Sequence, residues 1–365
     1  NWYRYHALFA ELLQARMREM QPKQIPALHR RAAAWFEEAG LRAEAVKHAL
    51  ASKDYALAAE VIARAITQVE TWSRADSGMV LRWLQALPEE TVRPKPWLRL
   101  FASRTLYVSG QPETAAVKLA ELDEWLHANP TTPEAGRLSA LVTIDRASYA
   151  AVLGDVQQAK DLALRARSTV PASDPIARFR PPAVLGMAHL RAGEVIKAYD
   201  AFTEAADVAL AAGLSFAAVP FLCNVAETLI LRGQLRRALE VCNQASELGT
   251  IDGQQIFAAG FVELELGKIR YEWNELQVAD EHLRTGLELL AQGGISEAFG
   301  SMHALHAQVL QARGDAVGAR AAAQQAVSIA QQSNIPRLIL EAAAYQARIW
   351  LVQGRLGLAS AWAEG

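Results

Sequence analysis

Residues 215–249 read SFAAVPFLCNVAETLILRGQLRRALEVCNQASELG. Apolar side chains recur three and four positions apart from Phe216 to Leu231. The chain then turns at Arg232–Gly233–Gln234, and a second periodic run goes from Leu235 to about Leu248. This is the period of two amphipathic helices joined by a tight turn, and glycine suits the left-handed residue that ends the first of them. Small residues flank the turn in fixed places: Ala226 seven before Gly233, Ala238 five after it and Ala245 twelve after it. Helices that cross closely leave room for little more than a methyl group at the contact, so these positions predict a tightly packed antiparallel pair.

The same pattern recurs along the chain. Turn residues fall at Gly110, Gly154, Gly193, Gly233, Asn274, Gly314 and Gly354, spaced 39 to 41 apart from Gly154 onward. Seven before them stand Ser103, Ala147, Gly186, Ala226, Gly267, Ala307 and Ala347; five after them stand Ala115, Ala159, Ala198, Ala238, Ala279, Ala319 and Ala359. A third small site follows at Ala166, Ala205, Ala245, Gly286 and Ala326. Gly186 and Gly267 each cost about 1 kcal/mol of helix propensity against alanine, which argues for close backbone approach there. Second turns at Gly213, Gly253, Gly293–Gly294 and Ser333–Pro336 complete each unit. The expectation is an all-α superhelix of helical hairpins, an α-solenoid with a repeat of about 40 residues. The small-residue spacing resembles the tetratricopeptide repeat (TPR), whose period is about 34 residues, so the helices here are expected to be longer by most of a turn each.

Before Gly110 the register loosens. Gly40, with Ala33 before and Ala45 after, matches one more hairpin, whereas the surroundings of Asp54, Gly78 and Pro88 read as helical but off the template. The Pro94–Lys95–Pro96 segment marks a break, giving a helical segment over 1–95 and a regular array over 96–365. The proline-rich stretch from Val170 to Pro182 reads as an extended loop between repeats. The chain opens on Asn1 and stops at Gly365 within a hairpin, without a polar capping helix, so the natural protein is expected to continue.

Of the 365 residues, 52% are hydrophobic and only 7% aromatic, so alanine packing supplies much of the apolar content. No run of 18 apolar residues offers a membrane span, and no signal peptide is visible. The formal net charge of −2, without blocks of like charge, does not indicate a nucleic-acid surface on this chain. Two cysteines, Cys223 and Cys242, fit a reducing compartment, the cytoplasm. They lie on consecutive helices of one hairpin and read either as buried thiols or as a disulfide or redox pair.

Catalytic signatures are missing: there is no GxxxxGK[ST], GxGxxG, HExxH, GxSxG or CxxC. His303 and His306, with Glu297 before them, have the spacing of half a metal site, but two histidines without a third ligand also read as ordinary helix residues. No catalytic residue, metal or cofactor is therefore assigned. The better candidates lie on one face of the first helices, at thirteen, nine, six and two positions before each turn. That face carries Arg104, Asp145, Arg180, Asn224, Glu227, Glu265, Lys268, Tyr345 and Arg348, and it changes chemistry from unit to unit. Such a lining suits an elongated polar ligand or a peptide in the concave groove; the alternative is a solvated surface. Trp97, Trp125, Trp273, Trp350 and Trp362 have two readings as well, stacking on sugar rings or filling gaps between repeats.

The most specific linear signal is at the start. Trp2–Tyr3–Arg4–Tyr5–His6–Ala7–Leu8–Phe9–Ala10–Glu11–Leu12–Leu13 is an amphipathic segment with Tyr5, Leu8, Phe9 and Leu12 on one face. Leu28–His29–Arg30–Arg31–Ala32–Ala33–Ala34–Trp35–Phe36 follows, then Gly40 and Glu44–Ala45–Val46–Lys47–His48–Ala49–Leu50. This order resembles the large bacterial transcription regulators of the MalT type, a branch of the LuxR family with an ATPase of the STAND class. It is closest over residues 1–65. The resemblance implies an ATP-binding module upstream and a DNA-binding helix-turn-helix downstream, neither within this chain. It also implies that the array senses an effector, a sugar or another metabolite, and takes part in self-association. His6 stands where relatives carry the first of two histidines, and Ala7 replaces the second. Three functions follow as expectations: a small-molecule sensor, a scaffold for a regulatory protein partner or self-association, and, with no constellation behind it, a hydrolase using carboxylates such as Glu227 and Glu265.

Overall fold

A computed structural model of the chain describes residues 7–67, 77–108, 111–132, 134–171, 174–251, 254–255, 258–293, 296–333 and 335–364. They fall into two compact units, Asn1–Thr105 and Leu106–Gly365. In the first unit, helices span Ala7–Met20, Ile25–Glu38, Arg42–Ala51, Tyr55–Thr67, Ser77–Gln85 and Glu89–Val92, and the helix Pro96–Val108 begins there. Ala33 and Ala45, the small residues predicted to flank the Gly40 turn, are both fully buried, and Gly40 itself has φ of 74°. Val46, Ala49, Ile62, Ile66, Leu98 and Phe101 complete this core, and Trp97 packs against it, filling space as the second of its two readings proposes. Of the amino-terminal face, Tyr5 lies outside the described residues, and Leu12 is exposed.

In the second unit the hairpins are as the sequence predicts. The pairs are Ala135–Leu153 with Val156–Thr169, Arg180–Arg191 with Val195–Ala211, Ser215–Leu231 with Leu235–Leu248, Ala259–Glu272 with Leu276–Gly293, Ser296–Ala312 with Ala316–Ser333, and Pro336–Val352 with Leu356–Glu364. The helix Pro112–Ala128 precedes them, and its turn residue Gly110 lies outside the described residues. At Gly233 the ending is a Schellman motif: Gln234 N–H donates to Leu229 O and Gly233 N–H to Ile230 O, both at 2.9 Å. Asn274 takes the glycine's place one hairpin later at φ 61°, a conformation that asparagine tolerates better than most residues.

Packing explains the small residues. Ala147, Ala226 and Ala307 are fully buried against Ala159, Ala238 and Ala319 of their partner helices, which are equally buried. A Cβ on Gly186 would sit 2.6 Å from the Phe202 ring, and one on Gly267 would sit 2.8 Å from Leu283. The glycines are thus spaces filled by the facing helix.

Two details differ from the sequence reading. The stretch over 170–182 is not an extended loop throughout: Pro175–Arg178 is a helical turn and Arg180 starts a full helix. Asp174 caps that turn by accepting from Ala177 N–H at 3.0 Å, and the prolines occupy first-turn positions, where a backbone N–H needs no partner. A two-residue antiparallel pairing, Thr250–Ile251 with Gln254–Gln255, also bridges two hairpins.

The superhelix of the second unit closes on itself. Val152, near the end of Ala135–Leu153, belongs to the same buried cluster as Ala304, Ala326, Ala330, Leu338 and Ala342, and Tyr107, Ile339 and Tyr345 pack against it. Tyr107 in turn stacks on Tyr149 with ring centroids 4.4 Å apart. Among the described residues no helix is long and apolar enough to cross a membrane.

Candidate functional site

On the face that should line the groove, three side chains from two consecutive hairpins are directly bonded. Lys268, six before its turn, donates from Nζ to Glu265 Oε1 at 2.8 Å and to Glu227 Oε1 at 3.1 Å. Glu265 and Lys268 are one helical turn apart, and Glu227 occupies the position equivalent to Lys268 one repeat earlier, so the period itself stacks the three. Glu265 is 4% exposed. Its second oxygen, Oε2, is buried and has no hydrogen-bond partner among the described residues.

Burial sets the electrostatics here. It pushes the Glu265 carboxyl up to about 7, with Lys268 opposing the shift and Glu227 adding to it. Burial alone would depress the Lys268 ammonium, but Glu265 and Glu227 more than offset it and hold Lys268 above its ordinary value. Tyr345, two hairpins further on, is raised first by burial and then by Glu341, and it also feels the charges of Lys268, Arg348 and Glu227. The winding of the unit thus brings residues 227, 265, 268 and 345 into one neighbourhood.

The other predicted residues divide. Asp145, 1% exposed, is paired with Arg180 of the next hairpin, a closed ion pair with both charges engaged. Asn224 is half-buried one turn before Glu227, and Arg348 is exposed. Arg104 lies in the first unit, its guanidinium 5.3 Å above the Phe101 ring. The positions nine before each turn are therefore not a solvated surface along their whole length: Phe101, Asp145, Val184 and Glu265 are all buried.

Cys223 and Cys242 are free buried thiols, so the disulfide alternative does not describe this structure. Burial, then the nearby Glu265 charge, raises both thiols. His306 is engaged by a carboxylate, its Nε2 lying 2.7 Å from Asp280, which also accepts from Arg313. Among the described residues no group of three or more His, Cys, Asp or Glu side chains is placed to hold a metal ion. Trp273 packs on a core cluster and Trp362 is exposed.

Sequence reasoning missed the crevice beside Tyr345. It is lined by Ser301, Ala304, Ile329, Leu338, Glu341 and Tyr345, and its volume of about 20 Å³ is room for one water-sized group. Ser301, Glu341 and Tyr345 lie on the predicted stripe, but the closure that shapes the crevice has no local sequence signal.

Comparison with known proteins gives this geometry its context. The chain is 28% identical over 371 residues to the serine/threonine-protein kinase PknK of Mycobacterium tuberculosis, covering 98% of this chain and 32% of that protein. It is 27% identical over 300 residues to the HTH-type transcriptional regulator MalT of Serratia proteamaculans, covering 80% of this chain and 32% of the relative. The chain thus spans about a third of the length of these relatives. Among solved structures, a signal transduction ATPase with numerous domains (STAND) and a tetratricopeptide repeat sensor, from Pyrococcus horikoshii, shares the fold. The TM-score is 0.58 at 14% identity, over 92% of this chain and 51% of that one. The MalT-like TPR region matches residues 140–365, more than half of the sequence, and the chain belongs to that family.

Proposed function

We propose that this chain is the effector-sensing segment of an ATP-dependent, cytoplasmic transcription regulator of the LuxR family. A small-molecule inducer binds in the concave groove at Glu227, Glu265, Lys268 and Tyr345. The observation that carries the reading is the buried Glu265 carboxylate with an unsatisfied oxygen. An interior acceptor without a donor is costly, by about 1–3 kcal/mol, and a ligand supplying the donor recovers that cost. The shared repeat region in a kinase and in a transcriptional regulator supports a sensing role, because the region recurs in proteins named for different outputs. ATP would bind upstream and DNA downstream of this segment, and the segment itself performs no catalysis.

The small volume of the crevice beside Tyr345 favours a second reading, a scaffold that holds a regulatory protein or mediates self-association. A thermal-shift screen of the chain against a metabolite library that includes oligosaccharides separates the two. A ligand at a hundred times its Kd raises stability by about 2.7 kcal/mol. The sensor reading expects a clear hit that is lost on substituting Glu227 and Glu265. Silence across the library on well-folded protein favours the scaffold.

A further inference from the structure

We propose that the ligand of this groove is held through a positively charged ammonium group, as in a peptide amino terminus or a polyamine, donated to the bare oxygen of Glu265 and to Glu227. The inference rests on the groove reading and narrows it to a chemical class.

Charge is the first ground. With Glu265 ionised, the bonded trio contains two carboxylates and one ammonium, which leaves one negative charge without a counterpart. Tyr345 brings Glu341 and Arg348, one charge of each sign, into range and leaves the imbalance as it was. The thiols of Cys223 and Cys242 bring no positive charge. An anionic ligand would be repelled here. A neutral polyol could supply a donor but not the missing charge, whereas an ammonium supplies both.

Geometry is the second ground. Lys268 is already committed to Glu227 Oε1 and Glu265 Oε1. Glu265 Oε2 can only accept when the group is ionised, and no described residue donates to it. The oxygen is covered in the closed superhelix, so a ligand reaches it as the surrounding hairpins part. Binding is thereby coupled to a change in the shape of the array.

The pH dependence follows from the groups that face Glu265. These are Lys268 on its own helix, Glu227 and Cys223 on the helix Ser215–Leu231, and Cys242 on Leu235–Leu248; Tyr345, on Pro336–Val352 with Glu341 and Arg348, lies within range of Lys268 and Glu227. Burial leaves Glu265 half-protonated at about pH 7. A bound cation favours the ionised form, so binding releases a proton below that pH. A polyamine, whose amines stay largely charged over this range, binds about tenfold more weakly at pH 6 than at pH 8. A peptide amino terminus, which itself loses charge near pH 8, binds about threefold to fivefold more weakly.

The test is isothermal titration of the chain with four probes: spermidine, triglycine amide, its N-acetylated counterpart and a neutral malto-oligosaccharide. The expected result is binding of spermidine or triglycine amide, and at least a tenfold loss on N-acetylation if the ligand is a peptide terminus. Spermidine binding without triglycine amide binding would assign a polyamine instead. Glu265→Gln should weaken the amine at least tenfold and flatten its pH profile. Glu227→Gln, at a half-buried position, gives the same weakening if the first variant does not fold. Amines that give no heat at millimolar concentration overturn the inference. If the oligosaccharide binds instead and Glu265→Gln abolishes it, the groove reading stands and the charge class falls.

Discussion

A buried carboxylic acid that ionises near neutrality leaves a signature in stability. Unfolded, Glu265 loses its proton at an ordinary value near 4.5; folded, it keeps the proton up to about 7. The unfolded state therefore gives up its proton first. Stability from this group is fully present below about pH 4.5, declines as pH rises to about 7 and levels off above. The full span amounts to about 3 kcal/mol, an order-of-magnitude figure for a group 4% exposed. Urea unfolding at pH 5, 6, 7 and 8 should show the chain losing stability relative to Glu265→Gln as pH rises. His48 and His303, both lowered chiefly by burial, titrate in the same window and cancel in that comparison. A variant with an unchanged slope would mean that the carboxylate is solvated in the folded protein.

Between elements, the facing helix decides what a position tolerates. Gly186→Ala improves helix propensity by about 1 kcal/mol, yet the new methyl would sit 2.6 Å from the Phe202 ring of the partner helix. Overpacking of this kind costs about 1–3 kcal/mol, so the variant is expected to unfold at lower urea concentration than the parent despite its better helix former. Hairpins were legible in the sequence for the same reason. Ala226, Gly233 and Ala238 are a local code in which each residue answers to a neighbour fewer than twenty positions away. The Glu227–Lys268 pairing was partly legible, because equivalent positions in consecutive repeats stack. Burial of Asp145 against Arg180 was not, since the stripe specifies which face a side chain takes and not what later covers it. The segment after Val170 was misread because its prolines were weighed as breakers, although Asp174 followed by Pro175 is a helix-starting pair.

Across the second unit, repeats would ordinarily touch only their neighbours, and the cluster joining Val152 to Leu338 and Ala342 departs from that rule. Val152→Glu places a charge in that cluster and should open the superhelix. Small-angle scattering is expected to show a larger radius of gyration with helix content unchanged by circular dichroism; an unchanged radius would place the hold elsewhere. None of this was visible in sequence, because Val152 and Leu338 share no motif. The closure also has a consequence in time. About 190 residues separate its two sides, and at a synthesis rate of 5–20 residues per second the second side follows the first by roughly 10–40 s. During that interval Val152 and the early hairpins leave the ribosome without the surface that will cover them. The nascent chain therefore has a defined period in which a chaperone can engage that valine face, ended by the arrival of the helix that carries Leu338.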